Sequence, residues 1–305
     1  MLNSNDVPNL LFIINPSSGK NNTNFDEIIS SYFKNKTANA IMHSLPQDCN
    51  LQHLKDKIAE VQPAKVIAVG GDGTVKLVAE ALLGTTIPLG IFPAGSANGM
   101  AKEFDIPADA EKALDIIVQG EEKKIHLVKI NEHICIHLGD IGFNAFVVKK
   151  FEEENTRGMW GYFKAAWKVL WQHNRIDVQI KLDGVQIKRD AAMVVIANGT
   201  KYGNGVVINP LGTLYDHFFE AVIIKKISFT EIFKMRFFSN RLNDKKTEVL
   251  QTAHLQLTSK RHLHFQVDGE YIGRTNKLVA EIIPDAISVI VPAEQREQNA
   301  LKVSQ

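Results

Sequence analysis

Strand-length apolar runs alternate with amphipathic stretches along the first part of the chain, in the manner of a doubly wound α/β domain. Strands are expected at residues 10–14, 38–43, 66–69 and 87–92. Helices are expected at residues 25–33, 51–61, 75–83, 97–104 and 109–118. The period then changes. From Lys124 the chain shows period-two alternation or short buried runs at residues 125–130, 133–138, 176–182, 192–197, 219–224, 254–257, 264–267, 277–283 and 287–291. This predicts a β-rich, sandwich-like second domain, interrupted by helical stretches at residues 146–171 and 229–242. The expected division is an α/β domain over residues 1–123 and a β-rich domain over 124–293. A polar tail, 294–305, is left to fray or to pack on the first domain.

A length of 305 residues suits two domains. Net charge is +1 with both signs interspersed, so no nucleic-acid partner is expected. Cys49 and Cys135 are far apart and form no CxxC pattern, which excludes a disulfide scaffold and suits a reducing compartment. Residues 10–14 are too short and too soon broken by Asn15-Pro16 to read as a signal peptide. No apolar stretch approaches the ~20 residues that span a bilayer. A cytoplasmic protein is the expectation, touching a membrane only transiently, at its surface.

Candidate chemistry gathers at the ends of the early strands. Val66 to Val69 run into Gly70-Gly71-Asp72-Gly73-Thr74, and Thr74 opens a helix whose apolar face carries Val75, Val78, Ala79 and Leu82. Glycines let backbone N–H groups approach an anion, and the helix N-terminus adds partial positive charge. Asp72 stands out, since a carboxylate repels phosphate unless chemistry requires it. Two further turns, Asn15-Pro16-Ser17-Ser18-Gly19-Lys20 and Pro93-Ala94-Gly95-Ser96-Ala97-Asn98, follow strands in the same way. In a parallel sheet all three lie at the carboxyl edge, where such folds bind ligands. None fits GxxxxGK[ST] or GxGxxG, so phosphate is expected to be held by another device.

These turns resemble those of the diacylglycerol kinase catalytic-domain family, which includes sphingosine kinases and bacterial soluble lipid kinases. The resemblance continues through Gly142-Phe143-Asn144-Ala145, Asn198-Gly199, Tyr202-Gly203-Asn204-Gly205, the stretch from Pro210 to Glu220, and Asp268-Gly269-Glu270. It implies an ATP- and Mg²⁺-dependent transfer of the γ-phosphate to the hydroxyl of a diacylglycerol- or sphingoid-type lipid, in lipid metabolism and phospholipid synthesis. ATP would contact Asn15, Pro16, Ser17, Ser18, Gly19, Ser44, Gly70, Gly71, Asp72, Gly73, Thr74, Val75, Lys76, Gly95, Ser96 and Asn98. Glu270 would be the general base, with Asp72 the alternative or an indirect holder of Mg²⁺. A structural Mg²⁺ would take the Asp216 carboxylate and the carbonyls of Thr213 and Phe218. The chain departs from the family pattern at Gly99, His126 and Asn144, where aspartates are common, and at Gly212 and His217, where alanine and glycine are common. GGDGT is shared with NAD kinases, which keeps a soluble-metabolite kinase as an alternative. A non-catalytic nucleotide- or lipid-binding regulator is another, and a homodimer is left open.

Two aromatic stripes at helical spacing complete the picture. Trp160, Phe163, Trp167, Leu170 and Trp171 form one, and Phe229, Ile232, Phe233, Phe237 and Phe238 the other. They are expected either to face a core or to meet lipid at a membrane surface. The spacing of the ten histidines does not suggest metal ligation.

Overall fold

The computed structural model describes residues 7–18, 23–46, 49–143, 145–146, 148–149, 175–202, 206–207, 209, 212–226 and 246–293. Both aromatic stripes and the tail 294–305 lie outside these. The chain forms two compact units. One comprises the chain up to Lys124 and again from Ile287; the other is Ile125–Ala286.

In the first unit β1 (Asn9–Ile14), α1 (Phe25–Phe33), β2 (Asn39–Ser44), α2 (Leu51–Val61), β3 (Lys65–Gly70), α3 (Asp72–Leu82), β4 (Leu89–Pro93), α4 (Gly99–Glu103) and α5 (Ala110–Gln119) alternate as the hydrophobic pattern predicts. The strands are parallel in the order β2-β1-β3-β4. Residues of β1, β3 and β4 are buried almost throughout, because helices cover both faces of the sheet. On one face Phe33 of α1 packs edge-on against Phe12, and Phe25 against Phe92. Tyr32 of α1 donates to Asp115 of α5 at 2.5 Å, joining the two helices on that face. Side-chain caps start three helices: Asn24 accepts from Glu27, Asn50 from His53 and Asp109 from Lys112. The helix expected at residues 97–104 is shorter. Asn98 has φ 50°, and α4 begins only after it.

The second unit starts within β5 (Glu121–Ile130) and continues with β6 (His133–Cys135), β7 (Leu138–Gly142), β8 (Ile176–Leu182), β9 (Val185–Ala191), β10 (Met193–Ala197), β11 (Lys201–Tyr202), β12 (Val206–Val207), β13 (Phe219–Ile224), β14 (Thr247–Thr252), β15 (His254–Val267) and β16 (Glu270–Val291). Its sheet runs β14-β13-β10-β7-β15-β16, with antiparallel pairing throughout. β15 serves two neighbours. Residues Leu255 to Ser259 pair with β8, and Phe265 to Val267 pair with β7, the register against β16 shifting between them. Such an irregularity lets one strand turn a corner between layers, which makes the unit sandwich-like. Ile141, Val194, Ile196, Phe219, Ala221, Leu255, Phe265 and Leu278 are among the buried side chains of its core.

Three strand expectations change. The strand expected at 133–138 divides into β6 and β7, because Asp268 draws off the N–H groups of Ile136, His137 and Leu138. The pairs expected at 254–257 and 264–267, and at 277–283 and 287–291, are the single strands β15 and β16. β9 and β14 were not anticipated, since their outward residues are polar and only alternate positions contribute to packing. The last residues of β16 belong to the first unit, where Val289 pairs with Leu89 of β4 as a further parallel strand.

Candidate functional site

The strand order of the first unit reverses between β1 and β3, and at such a switch point the loops leaving the strands diverge and open a crevice. The three predicted turns leave β1, β3 and β4 at this edge and are bonded to one another. The Asn15 N–H donates to the Val69 carbonyl at 3.0 Å, and the Ala94 N–H to the Gly70 carbonyl at 2.9 Å. Asn15 Nδ2 reaches Thr74 Oγ1 at 3.1 Å, while Asn15 Oδ1 accepts the Ser17 N–H at 2.9 Å. The glycines permit this proximity. A Cβ on Gly70 would lie 2.3 Å from Thr74 Oγ1, and one on Gly95 would lie 2.4 Å from Gly71 Cα. A Cβ on Gly73 would meet nothing within 4 Å, so that glycine stands on the open side.

The first turn of α3 follows directly. Gly71 occupies its N-cap and provides no capping side chain, unlike the residues that start α1, α2 and α5. The opening N–H groups of a helix have no acceptor within it, so this end is suited to phosphate oxygens.

Asp72 is not aimed at that space as a lone carboxylate. Its Oδ2 accepts the Gly99 N–H and its Oδ1 the Met100 N–H, both at 3.0 Å. It therefore anchors α4 to the glycine turn. Asn98 closes the third turn on itself, accepting from the Gly95 N–H at 2.8 Å and donating to the Gly95 carbonyl at 2.9 Å.

The other predicted residues of this edge divide by exposure. Pro16, Ser17, Ser44 and Ser96 are exposed, and Ser18 is half-buried. Ser44 lies opposite Ile14 at the end of β2. Thr74, Val75 and Lys76 are buried, so the Val75 side chain belongs to packing. Gly19 lies outside the described residues.

In the second unit Glu270 is exposed and opens β16 after a two-residue hairpin. Asp268 has φ 51° and Gly269 φ 87°, the positive angles that Asp-Gly supplies in a tight hairpin turn. The turn is held firmly. Asp268 Oδ1 accepts the N–H groups of His137 at 2.9 Å and Leu138 at 3.1 Å, and Oδ2 that of Ile136 at 3.1 Å. Behind it, buried Gln266 accepts the Gly269 N–H at 2.7 Å and donates to buried Asp140. The roles of Asp268, Gln266 and Asp140 were not anticipated. A carboxylate and an amide inside otherwise apolar strands were the available signal.

The expected metal ligands lie near a second polar cluster. Asp216 Oδ1 accepts the Phe218 N–H at 3.1 Å, and Oδ2 accepts from Gln251 Nε2 at 3.3 Å. The same amide donates to Glu220 at 3.0 Å, and Asn209 donates to Glu220 as well. Burial holds the Glu220 carboxyl above its ordinary range, partly offset by these two donors. His126 is buried, accepts the His217 N–H at Nδ1 and is held below its ordinary pKa by burial. His217 takes φ 62°, and its ring lies 3.4 Å from Asp285. Among the described residues no three His, Cys, Asp or Glu side chains group to hold a metal. The expected set would be one carboxylate and two carbonyls; these are all oxygen donors, and Asp216 retains lone pairs, so its chemistry fits a hard cation. Asn144 lies outside the described residues.

The first unit is thus a parallel α/β unit with bonded glycine turns at its switch point, and the second is antiparallel and sandwich-like. The family description "Diacylglycerol kinase catalytic domain" matches residues 9–130, and "YegS C-terminal NAD kinase beta sandwich-like domain" matches residues 140–291. Residues 9–130 thus belong to the diacylglycerol kinase catalytic-domain family. The chain is similar to a diacylglycerol kinase of Mycobacterium tuberculosis, 28% identical over 74% of this chain and 76% of that one. It is also similar to an uncharacterized protein of Synechocystis, 27% identical over 75% of this chain; the aligned region spans only 55% of that protein. A crystal structure of a diacylglycerol kinase from Bacillus anthracis shares the fold, with TM-score 0.69 and 16% identity over 94% of this chain and 97% of that one. Among the described residues no helix is long and apolar enough to cross a membrane.

Proposed function

We propose that this chain is an ATP- and Mg²⁺-dependent kinase whose acceptor is the hydroxyl of a diacylglycerol- or sphingoid-type lipid. The observation that carries this reading is the bonding of the three turns around Gly71 and Gly95, which leaves the first turn of α3 free of a side-chain cap. Asn15 to Gly19, Gly70 to Lys76 and Gly95 to Asn98 would hold the phosphates, chiefly through the N–H groups that open α3 and the hydroxyls of Ser17, Ser18 and Ser96. Asp216, with the carbonyls of Thr213 and Phe218, would hold a structural Mg²⁺. Bound ATP supplies the phosphoryl group, and its Mg²⁺ offsets the phosphate charge.

Asp72 and Glu270 differ as candidate bases, Asp72 being half-buried. Asp72 already accepts two backbone N–H groups, which protonation would weaken. Glu270 is exposed at the start of β16. We therefore assign proton acceptance to Glu270: its carboxylate takes the acceptor's hydroxyl proton as the new O–P bond forms and the β–γ bridge opens. Asp72 keeps α4 and the glycine turn in register.

Purified protein incubated with labelled ATP and Mg²⁺ tests this against diacylglycerol, monoacylglycerol and sphingoid acceptors in mixed micelles, with NAD as the soluble comparator. Label in a lipid is the expected result. Label in NAD and in no lipid would replace this reading with that of a soluble-metabolite kinase, which the NAD kinase-like sandwich description favours.

A further inference from the structure

We infer that Asp140 and Gln266 are positioning residues for Glu270, acting through the backbone of Gly269; the inference rests on Glu270 being the base. Both side chains are fully buried, in neighbouring strands β7 and β15. Asp140 Oδ1 accepts the Ala145 N–H at 2.8 Å, and its Oδ2 accepts from Gln266 Nε2. Gln266 Oε1 then accepts the Gly269 N–H at 2.7 Å. A side-chain amide can ordinarily turn over, exchanging its oxygen and nitrogen. Here both neighbours fix it. Both Asp140 oxygens accept, Oδ1 from the Ala145 N–H and Oδ2 from Gln266 Nε2, and the Gly269 N–H can only donate, so Oε1 must face the hairpin.

Two segments of the family resemblance are thereby joined by one buried chain of hydrogen bonds. Asp140 holds the backbone at Ala145, and through Gln266 it holds the residue immediately before Glu270. Asp268 fixes the other side of the turn with its three backbone acceptances. The hairpin is thus held on both sides, although Glu270 itself is exposed. A general base must lie within hydrogen-bond reach of the proton it removes, so fixing its backbone sets that distance before substrate arrives.

Exchanging the two chemistries gives a direct test. Asp140→Asn can offer its own N–H to Gln266 and turn that amide over, leaving the Gly269 N–H against a nitrogen. Gln266→Glu places two carboxylates face to face. The double variant D140N/Q266E restores the donor–acceptor matches between Asp140, Gln266 and Gly269: the new amide in β7 donates to the new carboxylate in β15, and that carboxylate accepts the Gly269 N–H.

Amide hydrogen exchange across residues 268–270 and the kcat for lipid phosphorylation are measured for the four proteins, with melting temperature monitored. Each single variant should exchange faster and lose kcat about tenfold or more, with KM for ATP within about twofold. The double variant should recover both, which a general packing defect would not. Exchange in D140N and Q266E equal to the parent, or a double variant no better than either single, would overturn the inference. Glu270→Gln separates it from the reading beneath: if that variant phosphorylates lipid normally while exchange follows the predicted pattern, the positioning stands and the assignment of the base fails.

Discussion

Gly71 and Gly95 meet backbone to backbone, so closely that a Cβ on Gly95 would sit 2.4 Å from Gly71 Cα. The contact brings the turns after β3 and β4 together, and nothing at that point can yield as a side chain could. Gly95→Ala should therefore push the turns apart, costing about 1–3 kcal/mol of stability by overpacking. ATP affinity, measured by calorimetry, should fall. Gly73→Ala is the contrast, because its Cβ would enter open space; there the melting temperature should be nearly unchanged, while ATP binding should weaken if Gly73 faces phosphate.

Asp72 holds the Gly99 and Met100 N–H groups, so its removal should be felt in the fold as well as in activity. Each bond to a charged acceptor contributes about 1.5–3 kcal/mol, and displacement of a phosphate turn can cost about 10²-fold in rate. Asp72→Ala should lower both the melting temperature and phosphoryl transfer. Asp72→Asn, which can accept at only one atom, should fall between. A variant that loses transfer with an unchanged melting temperature would instead identify Asp72 as the proton acceptor.

Asn98 combines φ 50° with both side-chain bonds to Gly95. Asn98→Gly keeps the backbone geometry and loses the bonds, whereas Asn98→Ala loses both. The alanine variant should be the less stable, by up to about 1 kcal/mol on conformational grounds. Denaturant midpoints of the two variants measure that difference.

His126 gives a pH prediction. Burial lowers its pKa from 6.5 in the fold, outweighing the nearby Asp216 charge, so the unfolded chain takes up a proton first as pH falls. Its stabilising contribution is complete above 6.5 and is lost progressively below, down to the folded value. Glu220 acts in the opposite sense, because its raised carboxyl keeps its proton longer in the fold and loses stability as pH rises from 4.5 through the folded value. The informative quantity is therefore a difference. The gap in melting temperature between the parent and His126→Asn should narrow as pH falls below 6.5. A gap independent of pH would mean that His126 does not titrate across that window.

The parallel order of the first unit was legible because strands covered on both faces are uniformly apolar and the turns that follow them carry glycine. Residues 10–14 and 66–69 show this plainly. Less legible was what the polar residues hold. Asp72 looked like isolated chemistry because its partners, the N–H groups of Gly99 and Met100, leave no trace in side-chain identity. Asp140 and Gln266 lie far apart in sequence, and only strand pairing brings them together. Glu270 was singled out by the Asp-Gly-Glu pattern of the resemblance, and the same Asp-Gly forms the hairpin turn that simple turn chemistry predicts.

β16 runs from Glu270 to Val291, and its last residues complete the sheet of the first unit beside β4. During synthesis the first unit must therefore wait for the entire second unit to emerge before its final strand exists. A fragment ending at Lys124 would leave β4 without the partner that Val289 provides, its edge open to pairing with another chain. Each unit can be compact, but the first is not autonomous: the order of translation makes it the last to be finished.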